Sequence, residues 1–361
     1  MMKSRERVLA AISHHVPDCV PIDFAASDEV WDALMKHLDL PDRESVLEFV
    51  GADLRYIEPI EIIYDRQRYI GPALQTQADG TWEDIWGVWR RPVHYSHGTY
   101  QEIVSYPFTH LNAPDQLLDR RWPDPDWFDY SDIASQCRRY HGKYALVGGG
   151  WGAVFGDSYR ILGFEHFLEG LILMPDVIRE VVRHVEQFYL GVNERIFEAA
   201  AGLLDIYYFG NDLGTQRGLL MSLPMIRTFL APSFKRLIDQ AKSYGLKVMF
   251  HSCGAVSHAI PLLIELGIDV LDPVQVGAAG MMPEALKASY GEQIAFHGGL
   301  DTQGILPFGS PRDVSAAAEH LLAVMKPGGG YIFGPSQDLQ PDVPIENILA
   351  MYRTAREAGA Y

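Results

Sequence analysis

The sequence predicts an α/β protein whose single domain, residues 1–361, closes as a (β/α)8 TIM barrel with an insertion between strands two and three. Three observations predict it. Short β-rich apolar runs alternate with longer helical ones. The runs number eight. Polar residues able to do chemistry follow the runs, and in a barrel all strand carboxyl ends face one cavity.

The runs are Val20–Phe24, Leu54–Pro59, Ala145–Gly150, Asp205–Gly210, Lys247–Ser252, Asp269–Val274, Ile294–Gly299 and Tyr331–Ser336. Helical spacing marks Asp176–Ala200, Pro224–Tyr244, Ala259–Leu266, Pro311–Met325 and Pro344–Ala358. Pro232 falls inside the second of these and predicts a kink or break. "KPGGGY", Lys326 to Tyr331, precedes a strand, so it reads as a helix C-terminal turn at the barrel's bottom.

About 85 residues, 60–144, separate the second and third runs. They include "DGTWEDIWGVWRRP", with Trp82, Trp86 and Trp89 close together. Asp79-Gly80 is a turn signal whose flanks suggest a hairpin. The segment is expected to cap the barrel mouth, as a lid or as an aromatic mini-core.

Composition narrows the function. At 48% hydrophobic and 21% charged, the chain has a globular protein's balance. Its net charge of −17 argues against a nucleic-acid partner, which needs a basic stripe. Three scattered cysteines make no disulfide framework and suggest a reducing compartment. The charged start lacks a signal peptide's apolar stretch, and no apolar run approaches a membrane span. The expectation is a cytoplasmic protein, monomeric or homodimeric, with no membrane partner.

The strand ends supply the candidate site. Strand one carries Asp23 and strand two Glu58. Strand three ends at Trp151, and strand four at Asn211, Asp212 and Gln216. Strand five gives His251 and Cys253, strand six Asp272 and Gln275. Strand seven gives His297 and Asp301, and strand eight Ser336, Gln337 and Asp338. His251 and Cys253 stand at i and i+2 of a strand, so both side chains point to the same side and can reach one ion. Thiolate with imidazole suits zinc, and a catalytic zinc takes three protein ligands. Gln275, His297, Asp301 and Gln337 are candidates for the third. Asp212 offers a general acid or a hydrogen bond to a ligand, with a turn or N-cap role as the plainer alternative. His297 is either a second acid or a hydrogen-bonded core histidine.

These residues carry a resemblance. Through "FGNDLGTQRGLLMSLPMIRTFLAP", "GLKVMFHSCGAV", "IDVLDPVQ", "FHGGLDTQ" and "QPDVPIENI", the chain resembles the uroporphyrinogen decarboxylase superfamily over nearly its whole length. It looks most like the corrinoid-linked branch, typified by methylcobamide:coenzyme M methyltransferases. The resemblance also implies a (β/α)8 barrel. Tetrapyrrole decarboxylases of the superfamily grip substrate carboxylates with an N-terminal Arg-Gln-x-Gly-Arg-Tyr. Here the corresponding region reads "VPIDFAAS", without arginine. The methyltransferases bind zinc through His-x-Cys and a distal cysteine. His251 and Cys253 match the pair, Gln275 stands near a family glutamate, and Ser336 and Gln337 stand near the distal cysteine.

The resemblance therefore implies methyl transfer between a small methylated compound, or tetrahydrofolate, and a corrinoid cofactor on a partner protein. Zinc would sit at His251 and Cys253, with Gln275 or Gln337 as third ligand. Asp212, His297 and Asp272 are the expected catalytic residues. Asp23, Glu58, Trp86, Trp151, Asn211, Gln216, Asp301 and Ser336 are expected to bind substrate. The alternatives are decarboxylation of a tetrapyrrole or aromatic acid, and a catalytically silent ligand-binding barrel.

Overall fold

A computed structural model describes residues 2–95, 98–118 and 120–361. Ten strands follow in chain order. They are β1 (Leu54–Tyr56), β2 (Trp82–Glu83), β3 (Trp89–Tyr95), β4 (Gly98–Ser105), β5 (Ala145–Gly148), β6 (Ile206–Gly210), β7 (Lys247–His251), β8 (Val270–Asp272), β9 (Ala295–His297) and β10 (Tyr331–Ile332). All but β2–β4 form one parallel sheet in the order β1-β5-β6-β7-β8-β9-β10. Helices separate these strands, as parallel pairing requires. Each sheet strand lies within one of seven expected runs.

The first run behaves differently. Val20–Phe24 makes a single parallel bridge, Ile22 to Phe333. Around it, the Asp23 and Phe333 amides donate to the carbonyls of Phe333 and Pro21, both at 2.8 Å. Toward β1, the Asp53 amide donates to the Ile22 carbonyl at 2.7 Å. Pro21 has no amide hydrogen, and the Ile22 amide donates to the Asp53 carboxylate at 2.9 Å. The segment thus closes the ring without the ladder of a full strand, leaving a seam.

Period-two alternation fills the ring. Leu54, Ala145, Val147, Ile206, Met249, Val270, Ala295 and Ile332 form one buried cluster inside it. Val8 and Ile12, from the helix Ser4–Ile12, join this cluster and plug the floor. Each valine, leucine, isoleucine or methionine among them stabilises the fold by about 1.5–3 kcal/mol relative to exposure, and the two alanines by less. A larger cluster lies between sheet and helices. Among its elements is Pro175–Ala200, an amphipathic helix that buries Val181, Val185, Phe188 and Val192.

Near Pro232 the chain forms two helices, Leu223–Phe229 and Ala231–Ser243. The proline sits in the first turn of the second, where a missing amide costs nothing. In the insertion, Gly80 turns at φ 84° and the Gln77 amide donates to the Thr81 carbonyl at 2.7 Å. The longer ribbon comes later, between β3 and β4, which pair antiparallel. Its connecting residues, 96 and 97, lie outside the described residues.

Candidate metal centre and pocket

The inward positions change character two residues above the apolar cluster. Along β1, Leu54 gives way to Tyr56. Along β6, Ile206 gives way to Tyr208; along β7, Met249 to His251; along β8, Val270 to Asp272; and along β9, Ala295 to His297. Parallel register sets His251 beside Asp272 on the neighbouring strand. The result is a buried polar layer at the carboxyl end of the sheet.

These groups form a continuous network. His251 Nδ1 lies 2.7 Å from Asp272 Oδ2, which also accepts from the Tyr208 hydroxyl at 2.7 Å. His297 Nδ1 lies 2.5 Å from Asp272 Oδ1, and its Nε2 lies 3.0 Å from Asp23 Oδ2. Tyr56 donates to that same Asp23 oxygen at 2.7 Å. Burial alone would raise the Asp272 carboxyl, but His297 and His251 hold it well below the usual carboxylate range. Burial disfavours the His297 cation; Asp272 and Asp23 outweigh that and raise it to about 10. His251 is likewise raised well above an ordinary imidazole, against its burial, by Asp272 and Cys253. Burial pushes the Tyr56 and Tyr208 phenols up, so both remain hydrogen-bond donors at neutral pH.

On the other side of the His251 ring, Nε2 lies 3.4 Å from Cys253 Sγ and 3.5 Å from Asp212 Oδ1. The donor atoms of these three residues lie within 4.8 Å of one another. Tetrahedral zinc, with bonds of about 2.0–2.3 Å, needs donors about 3.3–3.6 Å apart, so the two measured separations fit its edges. The donor set of imidazole, thiolate and carboxylate also fits. Asp272 on Nδ1 fixes the ring with Nε2 toward the cluster, the arrangement usual for metal-bound histidine. The triad is compatible with zinc.

Two loops hold Asp212 there. The Cys253 amide donates to Asp212 Oδ1 at 2.9 Å, and the Leu213 amide donates to Ser252 Oγ at 2.9 Å. Gly254, at φ 87°, meets Gly214 so closely that a Cβ would lie 2.6 Å from the Gly214 carbonyl carbon. Neither glycine tolerates a side chain without prising Asp212 from Cys253.

Gln275 points elsewhere: its carbonyl accepts from the Gly254 amide at 2.6 Å. The third side chain beside His251 and Cys253 is therefore Asp212, not Gln275. Gln337 does reach the centre, donating from Nε2 to Cys253 Sγ at 2.9 Å, which makes it a partner of the sulfur.

The remaining expected residues divide by position. Asp23, Glu58, Trp151, His251 and Gln337 line a cavity of about 950 Å³. Trp151 stands with its ring centroid 5.3 Å from that of His251. Gly210 makes room for it, since a Cβ there would lie 2.2 Å from the indole. Asn211 is buried and engaged, accepting from the Phe155 amide at 2.7 Å and donating to the Gly152 carbonyl at 3.0 Å. Ser336 accepts from the Thr302 amide at 3.1 Å, and Asp301 accepts from Gln303 and Ile305 amides. Gln216 is exposed and bonds Gln303 at 3.4 Å. Trp86 is buried away from the cavity, against Phe188, with its indole N–H on Asp157 at 3.1 Å. None of these last five has a free group facing the cavity, so their geometry is that of support. His297 has both ring nitrogens engaged by carboxylates and no spare proton to deliver outward.

Tyr56, Tyr208, Glu61 and Trp31 also line the cavity and were not anticipated. The two tyrosines could have been found by counting alternate residues along their strands. Burial raises the Glu61 carboxyl against the field of Arg160, and burial with repulsion from Asp272 raises Asp338.

Comparison with known proteins agrees with this architecture. A methyltransferase from Methanosarcina mazei has the same fold, with a TM-score of 0.66 at 16% identity, covering 99% of each chain. A uroporphyrinogen decarboxylase of Magnetococcus marinus is 25% identical over 149 residues. That match spans 39% of this chain and 39% of the relative's length. Residues 124–358, which include β5 to β10 and the whole of the Asp212–His251–Cys253 cluster, match the model of the uroporphyrinogen decarboxylase family, and the chain belongs to that family.

Proposed function

We propose that the protein is a methyltransferase that moves a methyl group between a small methylated compound, or tetrahydrofolate, and a corrinoid carried by a partner protein. The observation that carries this reading is the cluster of Asp212, His251 and Cys253 at the edge of a large cavity. The fold shared with a methyltransferase over 99% of both chains supports it. Zinc held by the three residues would supply Lewis acidity, keeping a substrate thiol or a leaving oxygen anionic at neutral pH.

The chain's own groups do the rest. Asp272 orients His251 through Nδ1. His297, gripped by Asp272 and Asp23, fixes Asp272 in turn. Gln337 donates to the Cys253 sulfur and moderates its charge. Trp151 and Tyr208 wall the cavity beside His251.

A tetrapyrrole polycarboxylate suits this cavity poorly. Asp23, Glu58, Glu61 and Asp338 line it. Of its three lining arginines, Arg55 is bound by Glu44 at 2.8 Å and Arg43 by Asp28 at 2.6 Å, and Arg139 lies over the Tyr140 ring at 5.1 Å. Repulsion would oppose a ligand that needs fixed cations.

The test is incubation of zinc-loaded protein with cob(I)alamin and a panel of methyl donors, and with methylcobalamin and a panel of thiols or tetrahydrofolate. Formation or loss of methylcobalamin, read optically, supports the reading. Its absence with every donor and acceptor overturns it.

A further inference from the structure

At its base the main cavity shares walls with a small chamber of about 30 Å³, room for one compact polar group. Asp23, Asp272, Asp338, His297, Tyr56 and Tyr208 bound the chamber. Their hydrogen bonds are unequally satisfied. Both Asp272 oxygens have partners. Asp23 is 1% exposed, and its Oδ2 accepts from Tyr56 and faces His297, yet its Oδ1 is buried without any partner. The Asp338 carboxylate accepts no hydrogen bond from the described residues, and neither does that of Glu61 farther along the cavity.

A buried carboxylate oxygen left unbonded costs about 1–3 kcal/mol, so the site calls for a donor. The charges say which kind. Three carboxylates surround the chamber against one imidazolium, His297, and Glu58 and Glu61 add to the negative field above. The Arg160 guanidinium, whose field reaches Glu61, is paired with Asp157 at 3.1 Å. The Tyr56 and Tyr208 rings, edge to face with centroids 5.9 Å apart, also border the chamber.

We propose that this chamber seats the ammonium group of a small amine-bearing substrate, with Asp23 Oδ1 and Asp338 as acceptors. His251 borders the same cavity, so the other end of such a molecule faces the metal cluster. The substrate class is then an aminothiol or its S-methyl derivative, and sulfonated or carboxylated thiols are disfavoured. The thiol end rests on the methyl-transfer reading; the ammonium seat rests on the chamber alone.

The experiment is calorimetric titration of zinc-loaded protein with mercaptoethylamine, mercaptoethanol and mercaptoethanesulfonate, which share one carbon chain and differ in terminal charge. Propylamine is titrated into metal-free protein as the amine probe without a thiol. The expected result is mercaptoethylamine binding about tenfold tighter than mercaptoethanol, with the sulfonate weakest. Asp338→Asn should remove most of the amine's advantage, and propylamine should still bind wild-type protein. Asp338 is on the exposed side of the cavity, so its replacement leaves the buried network in place, whereas Asp23→Asn would disturb His297. If the amine fails to outbind the alcohol, or the asparagine variant keeps the full preference, the proposal is overturned. Amine selectivity without any methyl transfer would instead refute the enzymatic reading and leave the seat standing.

Discussion

Two layers of the same barrel differ by two residues along each strand and by everything in their chemistry. Met249, Val270 and Ala295 are fully buried in the apolar floor, with Tyr56 and Tyr208 packed against that cluster. His251, Asp272 and His297, one pleat higher, are nearly as buried and share a chain of hydrogen bonds. Burial alone therefore does not mark the functional layer. The lower layer holds the ring together, and the upper layer uses that rigidity to hold charges that would otherwise be hydrated.

Substitutions one pleat apart should separate these roles. The largest effect is expected from Cys253→Ala, which should abolish stoichiometric zinc in elemental analysis while the circular dichroism spectrum and melting point stay near those of the wild type. Retained zinc would move the metal centre elsewhere. Met249→Ala should do the reverse, lowering stability by about 2–5 kcal/mol in urea unfolding while the folded protein keeps its metal. Asp272→Asn lies between the two, because it leaves the donors but loosens His251. Zinc affinity, measured by competition with a chelator, should fall about 10–100-fold. A variant with unchanged affinity would show that the His251 ring needs no second partner.

The smallest effect concerns pH. His297 titrates near 10 in the folded chain, above its unfolded value of about 6.5. Its contribution to stability is fully present below the unfolded value and is lost as pH rises through about 10. The wild-type melting point should drop across that interval more than that of His297→Gln. Parallel curves would mean that His297 is neutral in its pocket.

Much of this organisation was legible in the chain. Seven of the eight runs became sheet strands, because apolar β-rich segments between helices have few other ways to be buried. Pro232 broke its helix where ring geometry demanded it. The candidate pair His251 and Cys253 was visible because the two are neighbours in sequence, although the strand ends at His251 and Cys253 stands in the loop after it rather than on the strand as expected. Its third member was not, since Asp212 reaches Cys253 only through the packing of Gly214 on Gly254, a contact between residues forty apart. Gln275 and Asn211 looked like ligand groups but satisfy backbone amides, and side-chain composition cannot distinguish those duties. Tyr56 and Tyr208 were hidden among strand aromatics until the inward face of each strand was fixed.

The poorly laddered seam beside Pro21 has a consequence for the cavity wall. The main cavity is lined by Phe24, Ala25 and Ala26 on one flank of that seam and by Leu54, Arg55 and Tyr56 on the other. The seam therefore forms part of the cavity wall, and a few backbone and Asp53 hydrogen bonds are what close the ring on that side.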